Sequence, residues 1–121
     1  MQKNVLGGDL QSCCDQPAAS FYRSGRCETD EHDIGMHTVC AKVTREFLEF
    51  SKSKGNDLTE PAPAMDFPGL KPGDRWCICV FRWIEALEEN KAPGIYLKST
   101  HHSVLELLEL EVLAKYALDR N

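Results

Sequence analysis

The hydrophobic pattern of this chain changes period between residues 37 and 50. His37, Val39, Ala41 and Val43 alternate with Thr38, Cys40 and Lys42, which predicts a strand. Thr44 then suits a helix N-cap and Glu46 the positive end of the helix dipole. Val43, Phe47 and Phe50 follow at helical spacing, with Leu48 beside them. Gly55 falls where a left-handed residue ends the helix, and Asn56-Asp57 continues the stop. The same change recurs after residue 75. Trp76, Ile78 and Val80 share one face of a strand and Cys77 and Cys79 the other, so both faces are apolar, as in a strand covered on both sides. Phe81, Ile84 and Leu87 predict the buried stripe of the next helix, which Ala92-Pro93-Gly94 ends. Setting Cys40 against Cys77 gives an offset of 37 (77 − 40), at which Val43 meets Val80, Arg45 meets Arg82, Phe47 meets Ile84 and Phe50 meets Leu87. This reads as a weak duplication of one strand–helix unit, not as a solenoid, which stacks about three units or more.

A third unit begins with a short strand at Ile95-Tyr96-Leu97. Ser99 or Thr100 is placed to cap a helix carrying Val104, Leu105 and Leu108, and the helical spacing resumes at Leu110, Leu113 and Ala117. Residues 108–112 also alternate, which puts a break near Glu109. The N-terminal third lacks a helical period. Asn4–Leu6 predicts a short edge strand closed by Gly7-Gly8, and Ser24-Gly25 a tight hairpin turn between Phe21-Tyr22-Arg23 and Arg26-Cys27. Residues 56–74 hold Pro61, Pro63, Pro68 and Pro72 and form a long loop that Met65, Phe67 and Leu70 pack down. Pro72-Gly73 fits the centre of a type II turn that aims the strand from Arg75. The expected fold is α+β (or α/β): a single domain over residues 1–121, with one central sheet, about three helices following strands, and an irregular N-terminal third.

Composition narrows the function classes. A length of 121 residues with 42% hydrophobic and 27% charged content is that of one soluble globular domain. A net charge of −5 argues against nucleic acid or an anionic membrane as partner, because both want a basic face. Lys52 and Lys54, the one basic cluster, lie at a helix end where cations complement the dipole. No stretch approaches the ~20 apolar residues of a membrane span, and residues 1–14 lack the apolar core of a signal peptide. The expected compartment is therefore the cytoplasm. There the six cysteines, at 13, 14, 27, 40, 77 and 79, read as free thiols or metal ligands before disulfides.

Three constellations carry candidate chemistry. Cys27, His37, Cys77 and Cys79 offer soft ligands for zinc, but there is no C-x2-C pair, and a strand sends His37 and Cys40 to opposite faces. The simpler reading makes Cys40, Cys77 and Cys79 small buried residues of the core, so no metal or cofactor is favoured. Cysteine catalysis asks for a base, and His37 or His101 are the candidates, with Cys79 just ahead of a helix and near Arg82 and Cys27 close to Arg23 and Arg26. The motifs of serine hydrolases and of phosphate-cradling loops are absent. Arg23, Asp33, His37, Arg75 and His101 fall in loops or at element ends, where a ligand pocket is commonly built, and the two arginines suit a carboxylate or phosphate. Local ion pairs and caps are the plainer account of the same residues. The acidic run at residues 28–35 lacks the spacing of a calcium loop.

The stretches SFYRSGRCETDEHDIGMHTVCAKVTREFLEFSKSKGNDLTEP, FPGLKPGDRWCICVFRW and APGIYLKSTH resemble a family of small bacterial and microbial-eukaryote proteins defined as a conserved domain of unknown function. The resemblance runs from Asn4 to about Asp119. Ser20 and Ser24 stand where the family pattern leads one to expect glycine and aspartate. The resemblance implies a stand-alone cytosolic domain and carries over no activity, cofactor or catalytic residue. The reading that leads is a small-molecule- or anion-binding protein, with enzyme activity left open, whose pocket is made by residues 21–37, 56–74 and the start of the strand at Arg75. The alternatives are an interaction module using a sheet edge or the leucine-rich C-terminal helix, where Leu107 and Leu110 flank the stripe, and a zinc-binding protein.

Overall fold

The structure, a computed structural model, describes residues 2–13, 26–29, 36–61 and 69–119. Strand β1 (His37–Lys42) runs into helix α1 (Arg45–Ser53), and strand β2 (Arg75–Cys79) into helix α2 (Val80–Glu88). A two-residue strand β3 (Gly94–Ile95) is followed by 3-10 turns at Leu97–Ser99 and His102–Glu106 and by helix α3 (Leu110–Ala114). The sheet order is β2-β1-β3 with both pairings antiparallel, which makes the fold α+β and not α/β.

Local signals formed the first unit as the sequence reads. The Thr44 hydroxyl accepts from the Phe47 N–H at 3.0 Å, capping α1. At the other end Gly55, with φ +85°, donates to Lys52 O (3.0 Å) while Asn56 N–H donates to Ser51 O (2.9 Å), the paired bonds of a Schellman motif. Asp74 N–H closes the Pro72-Gly73 turn on Lys71 O at 3.0 Å, with Gly73 at φ +96°. That turn is laced to Val43 by two further backbone bonds, so β2 is aimed along β1. Trp76, Cys77 and Ile78 are all buried, as expected of a covered strand.

The second unit departs from the reading in its phase. In α2 the buried residues are Val80, Trp83 and Ala86, whereas Ile84 and Leu87 are half-buried and Phe81 is 50% exposed. The duplication therefore stops at the strand. Two residues, Val43 and Thr44, separate β1 from α1, but α2 begins directly after β2, so equivalent positions turn to different faces. Trp83, the largest apolar surface in the segment, takes the inward position. Its Nε1–H donates to Pro93 O (3.2 Å) and its ring meets Tyr116 edge-on at 5.4 Å.

The C-terminal third also differs in detail. Neither Ser99 nor Thr100 caps the following turn; His101 does, with Nδ1 accepting from Ser103 N–H at 3.0 Å. Thr100 faces inward, donating to Tyr96 O (2.9 Å) and accepting from Cys40 N–H (3.2 Å). The segment bearing Val104 is a 3-10 turn, and the break falls at Glu109, where expected. Val104 and Leu113 are buried, while Leu105, Leu107 and Leu110 are each about two-fifths exposed, which takes Leu105 and Leu110 out of the expected stripe. The end of the chain returns along β3: Ile95 exchanges backbone bonds with Tyr116 and Leu118, and the Asp119 carboxylate accepts from Leu97 and Lys98 N–H. Lys3 and Asn4 make single bridges, to Asp9 and His101, in place of the strand expected at Asn4–Leu6. The buried Asn4 amide donates to Asp9 O and Lys98 O and accepts from Leu6 and Gly8 N–H, fixing residues 2–10 to the 98–102 segment. One hydrophobic core takes residues from every part of this structure. Among the described residues no helix is long and apolar enough to cross a membrane.

Candidate functional site: a buried cysteine centre

Cys40 on β1 and Cys77 on β2 are direct cross-strand neighbours, so their side chains leave the same face of the sheet side by side. Two further cysteines reach that face from the irregular N-terminal third. Cys13 is carried by a segment docked through Gln11 N–H to Lys98 O (3.0 Å) and Ser99 Oγ–H to Ser12 O (3.0 Å). Cys27 follows Arg26, which bridges to Ser12, and precedes Thr29, whose backbone is held at both polar groups by the Gln2 side chain. All four cysteines are at most 2% exposed.

The sulfurs pair as two disulfides, Cys13–Cys40 (S–S 2.06 Å) and Cys27–Cys77 (2.08 Å). The Sγ atoms of Cys13, Cys27 and Cys77 also lie within 4.8 Å of one another, and Cys40 joins them through Cys13. Cys40 and Cys77 are buried in the core as expected, but they and Cys27 are disulfide-bonded and not the free thiols the sequence suggests. The partners come from segments without periodicity, 27 and 50 residues away, and spacing alone fixes no connectivity. Cys13 was no candidate in the sequence; the even cysteine count was the one available hint.

The arrangement has two chemical states available. Oxidised, it is a pair of adjacent disulfides tying the N-terminal segments to β1 and β2. Reduced, it gathers the thiols of Cys13, Cys27 and Cys77 within 4.8 Å of one another, with that of Cys40 beside Cys13. Tetrahedral zinc–thiolate bonds of ~2.3 Å set sulfurs ~3.8 Å apart, within the span of the Cys13, Cys27 and Cys77 trio.

Cys79 lies outside the trio. It is half-buried with a free thiol, two residues beyond Cys77 on the same strand face, ~6.5–7 Å away along the strand. His37 is its cross-strand partner. The ladder is irregular there: Met36 takes φ +49°, and its carbonyl accepts from Thr38 N–H (2.8 Å) and from Val80 N–H (3.0 Å), tying the start of β1 to the start of α2.

Of the five ligand candidates, Arg23 and Asp33 lie outside the described residues, as do most of the 21–35 stretch and residues 62–68. Arg75 is exposed at the other end of the sheet from His37, four steps along β2 or ~13 Å, with its guanidinium 4.0 Å from the Tyr96 ring centroid. It stands directly opposite Lys42, so two cations share that corner. His101 is buried against β1, donating its backbone N–H to Thr38 O (2.9 Å), and its ring stacks on His102. Burial first, and then the neighbouring His102, lower its pKa to about 4, against a smaller opposite pull from Glu28. Thus His37 and His101 flank Thr38, while Arg75 stands apart.

Compared with protein families, residues 3–117 match the family described as "Uncharacterized protein conserved in bacteria (DUF2237)", and the chain belongs to it. No curated protein matches the chain.

Proposed function

We propose that this DUF2237 domain is a thiolate metal-binding protein, and that in the reduced state Cys13, Cys27, Cys40 and Cys77 hold one zinc ion. The observation that supports this reading is the convergence of buried cysteine sulfurs from separate segments, three of them within 4.8 Å. Thiolate ligands suit zinc among the divalent metals. In the cytoplasm, the compartment expected from the sequence, the thiol state is the one maintained, and the metal then supplies the cross-link that the disulfides supply when oxidised. Metal analysis of protein purified under reduction, joined to melting with and without a chelator, tests it. About one zinc per chain and a melting temperature lowered by chelation are expected; metal well below stoichiometry with an unchanged melt refutes it.

A second reading, binding of a small anion, draws on the corner where Arg75 lies over Tyr96 and faces Lys42. Like charges directly opposite on a sheet repel, and a phosphate or carboxylate between them relieves the repulsion. Titration of the protein with inorganic phosphate, followed by NMR shifts at Arg75 and Lys42 and repeated on Arg75→Ala, decides this reading.

A further inference from the structure

The cysteine centre carries one more inference, which rests on the metal reading above. We infer that the centre is an oxidation-gated release site: a small hydroperoxide converts the four thiolates into the Cys13–Cys40 and Cys27–Cys77 disulfides and expels the metal.

Three features support it. First, the two states differ by short side-chain movements: three of the sulfurs already lie within 4.8 Å of one another, and Cys40, bonded to Cys13, turns toward them. A disulfide holds its sulfurs ~2.05 Å apart and tetrahedral zinc ~3.8 Å apart, so the change of state asks each pair to close by about 1.7 Å. Side-chain rotation supplies such a movement. Second, hydrogen bonds that do not involve the sulfurs also hold these segments together. Gln2 holds Thr29, Asn4 holds Asp9 and Lys98, and Ser99 holds Ser12, so Cys13 and Cys27 stay beside β1 and β2 after a metal leaves. Their thiols remain at high effective concentration for disulfide formation. Third, the connectivity is specific. Cys40 and Cys77 face each other across the ladder, yet each bonds to an N-terminal cysteine. Oxidation thus ties the N-terminal segments to the sheet and leaves the two strands without a covalent link at this position.

Burial selects the oxidant. With all four cysteines at most 2% exposed, an oxidant enters only on local opening, and the small opening that admits hydrogen peroxide excludes a bulky disulfide such as oxidised glutathione. In each pair one thiolate attacks a peroxide oxygen, the O–O bond breaks, and a sulfenic acid and hydroxide form. The second thiolate attacks that sulfur, forming the S–S bond and releasing a second hydroxide. Two protons from solvent turn the hydroxides into water. Two peroxides therefore take four electrons, make two disulfides and four waters, and leave one divalent ion without ligands.

The experiment uses full-length, reduced, zinc-loaded protein, both wild-type and with Cys14→Ser and Cys79→Ser to remove the other two thiols. Hydrogen peroxide is added, zinc release is followed with a chromophoric chelator, and the linkages are mapped by peptide mass spectrometry. One zinc released per two peroxides consumed, with Cys13–Cys40 and Cys27–Cys77 linked, is expected, and release by oxidised glutathione at least tenfold slower. A loaded protein that keeps its zinc, links Cys40 to Cys77, or responds equally to oxidised glutathione overturns the inference and leaves the metal reading standing. Reduced protein that takes up no zinc overturns both.

Discussion

Removing the Cys27–Cys77 link is the most informative perturbation of this fold, because its size follows from chain length. The two residues are 50 apart in sequence, and closing a loop of that length in the unfolded chain is worth about 4 kcal/mol at 25 °C. The same estimate for Cys13–Cys40, 27 residues apart, is about 3.5 kcal/mol. The loops overlap between residues 27 and 40, so their sum is an upper bound on the joint effect. Domains of this size are stable by ~5–15 kcal/mol, so either link is a large share of the total. The double variant Cys27→Ala/Cys77→Ala leaves no orphan thiol and little new cavity. With a urea dependence of ~1–3 kcal/mol per molar, its unfolding midpoint under oxidising conditions should fall by on the order of 2 M. Equilibrium urea unfolding followed by Trp83 fluorescence is the assay, run against oxidised parent whose linkages have been mapped. A midpoint within about 0.3 M of the parent refutes the claim that this cross-link constrains the unfolded chain.

The remaining expectations are local. Trp83→Ala should cost ~3–5 kcal/mol by opening the core under α2, whereas Phe81→Ser should stay within ~0.5 kcal/mol; the reverse order in thermal melts would return α2 to the phase read from its sequence. Thr44→Ala removes the α1 cap and should cost about 1 kcal/mol by urea unfolding, while Thr44→Ser should restore most of it, and equal losses for both would count against the capping role. His101 has a folded pKa of about 4 against an ordinary value of 6.5, so below pH 6.5 the unfolded chain takes up the proton first. Stability is therefore full above pH 6.5 and declines toward pH 4, by at most roughly 3 kcal/mol from this group. His101→Gln should flatten the pH profile of the urea midpoint across that window, and parallel profiles for variant and parent would contradict the assignment.

Much of the architecture was present in short-range signals. Thr44, the period of Val43–Phe50, and Gly55 specify the start, face and end of α1 with contacts no more than five residues apart, and Pro72-Gly73 does the same for the turn into β2. The break at Glu109 was legible because alternation and helical spacing overlap there. The phase of α2 was not, since Val80–Leu87 offers apolar residues on more than one face. Only the packing of Trp83 against Pro93 and Tyr116 selected among them. The role of His101 as a cap likewise depended on a backbone that turns at 3-10 pitch after Thr100 has been drawn inward by Cys40 and Tyr96.

The cysteine centre marks the boundary most clearly. By itself the sequence determined that Cys77 and Cys79 share a strand face and that β2 is covered on both sides, because side-chain direction along a strand is a local property with period two. Only the tertiary structure decided that Cys40 stands opposite Cys77, and that Cys13 and Cys27 complete the group from segments with no periodic signal. Strand register and the docking of the N-terminal third are set by contacts between residues tens of positions apart, among them Asn4 with Lys98 and Gln2 with Thr29. A pattern read over a few neighbours holds no information about which distant segment will satisfy those hydrogen bonds, and so none about which sulfurs meet.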